Sequence, residues 1–253
     1  VTDNITIAIT DAATPTGGTA SNTVDEEGLS NGIIGGPNDA TGANSTVTGT
    51  LGYNFGGDGA ASTGAFTWST AGLPGLSSGG TALVYSVSAD GLTLTGAKTG
   101  GGATVFTVKV TDLATGAYEF KLLLPLDHSA PVSPVTSDED DIPLSFGYTV
   151  KDDDGSTATG SLGITIDDDS PTVDLLPNIG ASVVEGATYN GTWSSGYGAD
   201  GAGSTKVLVG ANEYDLNTDI ALASGTLRVN SDGTWRFQAA NGLGADGAAG
   251  PKT

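Results

Sequence analysis

The 253-residue sequence predicts an all-β protein, and three observations carry that prediction. The apolar set is rich in Val, Ile, Leu and Ala, and Thr is plentiful, a bias toward strands. No long stretch combines helix-forming residues with the i, i+3, i+4 spacing of an amphipathic helix. Short runs of alternating apolar residues recur instead, separated by Gly-, Pro- and Asp-rich turns. Hydrophobic residues make up 37% of the chain and aromatics 6%, which allows cores that are lean in rings. The length allows one large domain or two smaller ones.

Taken in order, residues 1–14 read as the tail strand and linker of an upstream module. Residues 5–16, ITIAITDAATPT, are echoed by residues 161–172, SLGITIDDDSPT, and a Val-x-Glu-Gly pattern follows each, in VDEEG at 24–28 and VVEG at 183–186. Each β-run ends in Asp-x-x-x-Pro, where proline stops the strand and the chain enters the next module. The first module then spans 15–169 and the second 170–253. In the first, strands are expected at Ser45–Leu51, Phe66–Ser69, Ala82–Ser88 and Leu92–Thr95. A hairpin follows around LATG, from Val105–Asp112 and Ala117–Leu124, with Phe106, Val108 and Val110 facing Tyr118, Phe120 and Leu122. The second module offers Thr172–Leu176, Ser182–Glu185, Lys206–Val209 and a hairpin of Thr226–Asn230 with Thr234–Gln238 across SDG. It lacks a counterpart of the first module's last hairpin, so it reads as truncated or as split by an inserted domain.

That last hairpin, DEDDIPLSFGYTVKDDDGSTATGSLGITIDDDSP at 138–171, carries the chemistry. Apolar residues alternate on both sides of the DDDG turn, the pattern of an antiparallel pair with one buried face. Centring the turn near Asp154 sets Phe146 opposite Leu162, Leu144 opposite Ile164 and Ile142 opposite Ile166, the register that buries both apolar sets. Asp138, Asp140, Asp141, Asp167, Asp168 and Asp169 then gather at one end and Asp152 to Asp154 at the other, roughly 33 Å away at ten strand residues. Carboxylates packed this closely repel unless a cation sits among them. Lys151 is the only basic residue in the stretch. All-oxygen surroundings suit Ca²⁺ better than zinc or copper. At the module junction the expected ligands are Asp141, Asp167 and Asp169, with Glu185 from the second module and Asp140 nearby; alternation along the strand would turn Asp168 away. Asp25, Glu26 and Glu27 form an acidic entry-loop group that offers Glu27 as a further candidate ligand. At the opposite pole Asp152 and Asp154 are expected to bind, joined by Asp11 from the upstream linker. The plainer readings are solvated turn acids and an ordinary Asp-Gly turn.

Net charge is −21, with 8 Lys+Arg against 29 Asp+Glu. That excludes nucleic acid, whose phosphates need a basic footprint, and disfavours anionic membrane surfaces. No run is long enough to span a membrane as a helix, and with no Cys a disulfide scaffold is excluded. Bound calcium is the natural brace for small extracellular modules lacking disulfides.

Several segments carry a family likeness. SADGLTLTG at 88–96, VFTVKV at 105–110, TGAYEFKLLLPLDH at 115–128 and IPLSFGYTVKDDDGSTATGSLGITIDDDSPTV at 142–173 resemble the tandem repeats of giant RTX adhesins exported by type I secretion in Gram-negative bacteria. GTLRVNSDGTWRF at 225–237 is similar to shorter Ig-like or VCBS-like repeats. The resemblance implies tandem Ig-like β-sandwich modules, an extracellular location at the bacterial surface, calcium at module junctions, and a role in adhesion or biofilm formation. DDDSP also resembles the acidic linker between cadherin repeats. The upstream linker departs from the pattern, with Ala12 and Ala13 where the downstream one has Asp168 and Asp169.

The expected function is a calcium-rigidified extender that projects ligand-binding domains. Its partners would be neighbouring modules of the same chain, with surface glycan or protein engaged through other domains; a monomer without membrane insertion is expected. The alternative is a glycan- or peptide-binding module, or a split scaffold carrying one. Trp193 and Tyr197 in NGTWSSGYGADG serve that alternative if they stack on sugar, and the extender if they plug the end of a sandwich. Trp68 and Trp235 are expected in cores, Asp232 in a turn, and His128 as a polar residue bonded to backbone. No GxSxG elbow or thiol nucleophile is present, and no enzyme is expected.

Overall fold

The computed structural model describes residues 7, 14–35, 42, 44–128, 140–176 and 183–242. Its elements are β1 (Thr19–Asp25), a 3₁₀ turn (Glu26–Gly28), β2 (Thr46–Thr50), β3 (Phe66–Trp68), β4 (Ser77–Ser78), β5 (Thr81–Val87), β6 (Thr93–Lys98), β7 (Thr104–Asp112), β8 (Ala117–Leu122), β9 (Ile142–Lys151) and β10 (Thr157–Asp167). There follow β11 (Thr172–Leu176), β12 (Thr188–Gly196), β13 (Lys206–Val209), β14 (Asn212–Asp215), β15 (Asp219–Leu222), β16 (Gly225–Val229) and β17 (Thr234–Ala239). The protein is all-β, as its composition predicts.

Two sheets make the first sandwich, ordered β1-β10-β9-β3 and β2-β8-β7-β6-β5-β4. Inward side chains of both meet in one core that includes Leu144, Phe146, Leu162 and Ile164 from one sheet and Phe106, Val108, Phe120 and Leu122 from the other. Phe146 joins the layers, its ring 5.7 Å from Phe106 and 5.9 Å from Phe120. The β9–β10 register is the one that alternation demands, with Phe146 opposite Leu162, Leu144 opposite Ile164 and Ile142 opposite Ile166. β7 and β8 likewise set Phe106, Val108 and Val110 against Leu122, Phe120 and Tyr118. What alternation did not predict is β1, a mostly polar strand that pairs parallel to β10 and ends with Asp25 beside Asp167.

Glycine has a role here beyond turns. Gly49, Gly96, Gly160 and Gly191 lie directly across their strand pairs from Tyr118, Phe106, Tyr148 and Trp235. A Cβ on Gly160 would come within 2.3 Å of the Tyr148 ring and 2.4 Å of the Gly18 carbonyl. The ring therefore covers the glycine, a pairing that secures register where the strand has no side chain of its own. The Tyr148 hydroxyl accepts from Gly18 N–H at 3.0 Å and donates to the Gly18 carbonyl at 2.9 Å, pinning the segment ahead of β1.

Residues 172–176 and 188–239 form a separate sheet, β11-β12-β17-β16-β15, and the β13–β14 ribbon. Trp235, Ile220 and Ala239 are buried there, whereas Val173 and Leu175 on edge strand β11 stay exposed. The β16–β17 hairpin has the expected register, Thr226 opposite Gln238, and Asp232 caps its turn by accepting from Thr234 N–H at 3.0 Å. The strand expected at Ser182–Glu185 is replaced over 183–186 by a turn. Gly186 there adopts φ 66°, a left-handed conformation that ends an extended run.

Candidate metal centre

The parallel β1–β10 pairing decides where the acids go. It brings the end of β1 beside the end of β10, and the 3₁₀ turn Glu26–Gly28 then curls over the pole of the sandwich. Asp25 caps that turn, its Oδ1 accepting from Glu27 N–H at 2.7 Å. Asp25, Glu26, Glu27, Asp167 and Asp169 are each less than a tenth exposed. Withdrawing so many carboxylates from water costs several kcal/mol per ion unless positive charge or N–H donors compensate.

Donors compensate in part. Glu26 Oε1 accepts from Leu126 N–H at 2.8 Å and lies 3.3 Å from His128 Nε2. Its other oxygen, Oε2, is buried without a hydrogen-bond partner. Burial pushes the Glu26 carboxyl up to about 7, against the pull of His128 and of Leu126 N–H. Burial alone would lower the His128 pKa, but the Glu26 hydrogen bond, the Asp168 charge and the Asp140 carbonyl outweigh it and raise it to about 9. His128 Nδ1 donates to the Asp140 carbonyl, and Nε2 lies 3.6 Å from Asp168 Oδ1. The imidazolium is thus a built-in counter-ion for one side of Glu26. The backbone bond expected for His128 is present, together with an ionic role that its isolation in the sequence did not suggest.

Asp169 links the two modules. It accepts from Ile33 N–H in the first at 3.1 Å and from Ala199 N–H in the second at 2.7 Å. Its carboxyl is pushed up by burial, which those two donors only partly offset. Asp200, in the same second-module turn as Ala199, is also pushed up by burial; His128 opposes this, while Asp168, Asp127 and Asp169 add to it. Seven carboxylates, Asp25, Glu26, Glu27, Asp167, Asp168, Asp169 and Asp200, therefore come from the first sandwich, from the segment after β10 and from the turn after β12 to one end of the β9–β10 hairpin.

The expected ligands are distributed as follows. Asp167, Asp169 and Glu27 lie in the buried cluster. Asp140 and Asp141 sit exposed at its rim, just ahead of β9. Asp168 does not turn away: the ladder ends at Asp167, and beyond it Asp168 Oδ1 reaches His128. Glu185 lies elsewhere. It is exposed in the turn before β12, whose opposite end, Gly196, pairs with Thr172 beside the linker. Nine strand residues, roughly 30 Å, separate it from the junction. The second module's acid at the junction is Asp200 instead. Asp11 lies outside the described residues. Glu26 belongs to the acidic entry-loop group that VDEEG marks; Asp200 was not among the expected ligands, and its visible signal was the Asp-Gly pair in GYGADG.

The opposite pole holds Asp152, fully buried, and Asp154, exposed, with Asp58 brought to them by the 56–60 loop. Burial and the neighbouring Asp154 push Asp152 up, and Ser156 N–H helps hold Asp154 down. Trp193, in a segment whose glycines suggest a loop, is part of a strand. It lies within β12 opposite Leu175, half-buried, with Nε1 donating to the Asn230 carbonyl at 2.9 Å. Tyr197 is exposed, its hydroxyl 3.3 Å from Thr205 Oγ1.

Residues 21–165, more than half of the chain, match the family described as a domain of unknown function, DUF5801. The chain belongs to the DUF5801 family. The DUF5801 segment runs from within β1 to two residues short of the end of β10. It thus holds Asp25, Glu26, Glu27, His128 and the whole second cluster, and it stops before Asp167 to Asp169. No curated protein matches the chain. No helix among the described residues is long and apolar enough to cross a membrane.

The donor set at the junction fits a hard divalent cation. Its carboxylates offer oxygen alone, from turns as well as strand ends, and include the unpartnered Glu26 Oε2; the protonated His128 beside Glu26 and Asp168 is a counter-ion and offers no lone pair. Ca²⁺ takes six to eight such oxygens at about 2.3–2.6 Å in adaptable geometry.

Proposed function

We propose that the chain is a calcium-stiffened extender from the repeat region of an extracellular bacterial adhesin of the RTX type. Ca²⁺ at the junction would hold consecutive β-sandwich modules in one orientation. The observation that carries this reading is the convergence of carboxylates from both modules and the linker. Asp169 bonds Ile33 on one side and Ala199 on the other, and Glu26 Oε2 in the same cluster is buried without a donor.

The mechanism is electrostatic. Without a cation the cluster repels itself, burial penalises each carboxylate, and the junction opens to let water in. Bound Ca²⁺ would be held by carboxylates of this cluster, Glu26, Glu27, Asp25, Asp167 and Asp200, and would supply the positive charge that offsets their repulsion. The link between modules then loses its bending freedom. A rod of such modules carries a distal binding domain away from the cell, which accounts for an acidic chain whose chemistry gathers at the module ends rather than in a cleft. The finer features of the resemblance, type I secretion and biofilm formation, belong to the same reading.

Small-angle scattering tests it. With calcium the particle should be elongated and of fixed shape, and with chelator its pair-distance distribution should broaden. Superimposable profiles in the two conditions would refute the stiffening role.

A further inference from the structure

The β9–β10 turn, at the far pole from the junction, holds a buried carboxylate with one oxygen that lacks a donor. Asp152 N–H donates to the Ser156 carbonyl at 3.1 Å, and Asp152 Oδ1 accepts from Gly155 N–H at 3.1 Å. Its Oδ2 is buried with no hydrogen-bond partner. The 56–60 loop is drawn onto this turn by backbone pairing: Ala60 bridges Asp152, Asp153 N–H donates to the Gly59 carbonyl at 3.1 Å, and Ala61 N–H to the Lys151 carbonyl at 3.1 Å. That pairing carries Asp58 in, and a carboxylate oxygen from each of Asp58, Asp152 and Asp154 lies within 4.8 Å of the others. Among the described residues, no Lys, Arg or His forms an ion pair with any of the three.

We propose that Asp58, Asp152 and Asp154 form a self-contained calcium site that clips the 56–60 loop to the β9–β10 turn. Three clustered carboxylates, one of them buried with an unpartnered oxygen, call for a cation. Oxygen-only ligands select a hard one, and the exposure of Asp58 and Asp154 leaves room for the waters that complete a calcium shell. Mg²⁺ demands near-octahedral geometry and gives up its waters reluctantly, so a site with three protein carboxylates drawn from two loops suits it less. All three ligands belong to one module, so the site needs no neighbour and fills whether or not the junction does. The loop it anchors also lines an open cavity of about 470 Å³ with Phe55, Gly59, Leu113 and Ala114, whose wall the ion would hold in place.

The test is an ion count on the whole chain by native mass spectrometry across a Ca²⁺ titration, with Mg²⁺ alone as the comparison metal. Asp58→Asn and, separately, Asp154→Asn should each lose one bound calcium relative to the unaltered chain. The Asp153 and Ala61 amides should exchange at least tenfold faster in these variants when calcium is present. Glu26→Gln, which alters only the junction, should keep this ion and this protection, so failure of one site is distinguishable from failure of the other. A full complement of calcium in either Asp58→Asn or Asp154→Asn would overturn the proposal, as would a site that fills equally with Mg²⁺.

Discussion

Glu26→Gln separates the cost of the junction from its purpose. Burial raises the Glu26 carboxyl from 4.5 to about 7, a value that already includes the help of His128 and Leu126 N–H. At roughly 1.4 kcal/mol per pK unit, ionised Glu26 costs the calcium-free fold on the order of 3 kcal/mol above neutral pH. Glutamine keeps the shape and the Leu126 hydrogen bond without the charge. The calcium-free variant at about pH 8 should therefore melt several degrees higher than the unaltered chain, at about 2–4 °C per kcal/mol for a domain of this size. Calcium should reverse the order. A site filled at about a hundredfold excess over Kd adds ~2.7 kcal/mol, and the variant should lose most of that increment. Thermal unfolding followed by circular dichroism, with calcium and with chelator, gives both numbers. If Glu26→Gln melts lower in chelator and keeps the full calcium increment, Glu26 is an ordinary structural partner of His128 and the reasoning fails.

Other outcomes follow from the same geometry. In chelator, stability should fall as pH rises from about 5 to 9: Glu26 binds its proton more tightly folded than unfolded, so its favourable contribution is lost between 4.5 and about 7. The His128 contribution is complete below 6.5 and is lost as pH rises through about 9; a melting temperature that climbs over this range would contradict both. Asp169→Ala strips the acceptor from Ile33 and Ala199 N–H, so both amides should lose at least tenfold protection in hydrogen exchange, while amides within β9 and β10 are unaffected. Gly160→Ala forces a Cβ against the Tyr148 ring and should cost about 1–3 kcal/mol in urea unfolding. A loss below a few tenths would show that the ring yields freely.

Period-two alternation made the β7–β8, β9–β10 and β16–β17 hairpins legible, because one face of each is buried and a one-residue slip would expose it. It could not find β1, whose TASNTVD run is mostly polar along the strand and whose parallel partner lies far away in sequence. The DDDSP run marked the end of the β9–β10 hairpin where carboxylates gather, and VDEEG marked an acidic entry-loop group. That His128 and Asp200 join them was not legible, because they arrive from loops and turns, which carry no periodicity. Glu185 was misplaced because sequence distance from the linker is a poor guide once β12 runs the full length of the sheet.

The glycines that face Tyr118, Phe106, Tyr148 and Trp235 imply a rule for how such a chain can change. Each pair behaves as one unit of shape, a flat ring seated in the space that its partner's missing side chain leaves open. Enlarging the small member evicts the large one; trimming the large member bares a stretch of weak strand. Drift at these positions should therefore proceed by paired replacement, and a lone exchange on either side should be rare among kindred sequences. Part of the high glycine content then records ring placement in the sheets rather than looseness in the loops.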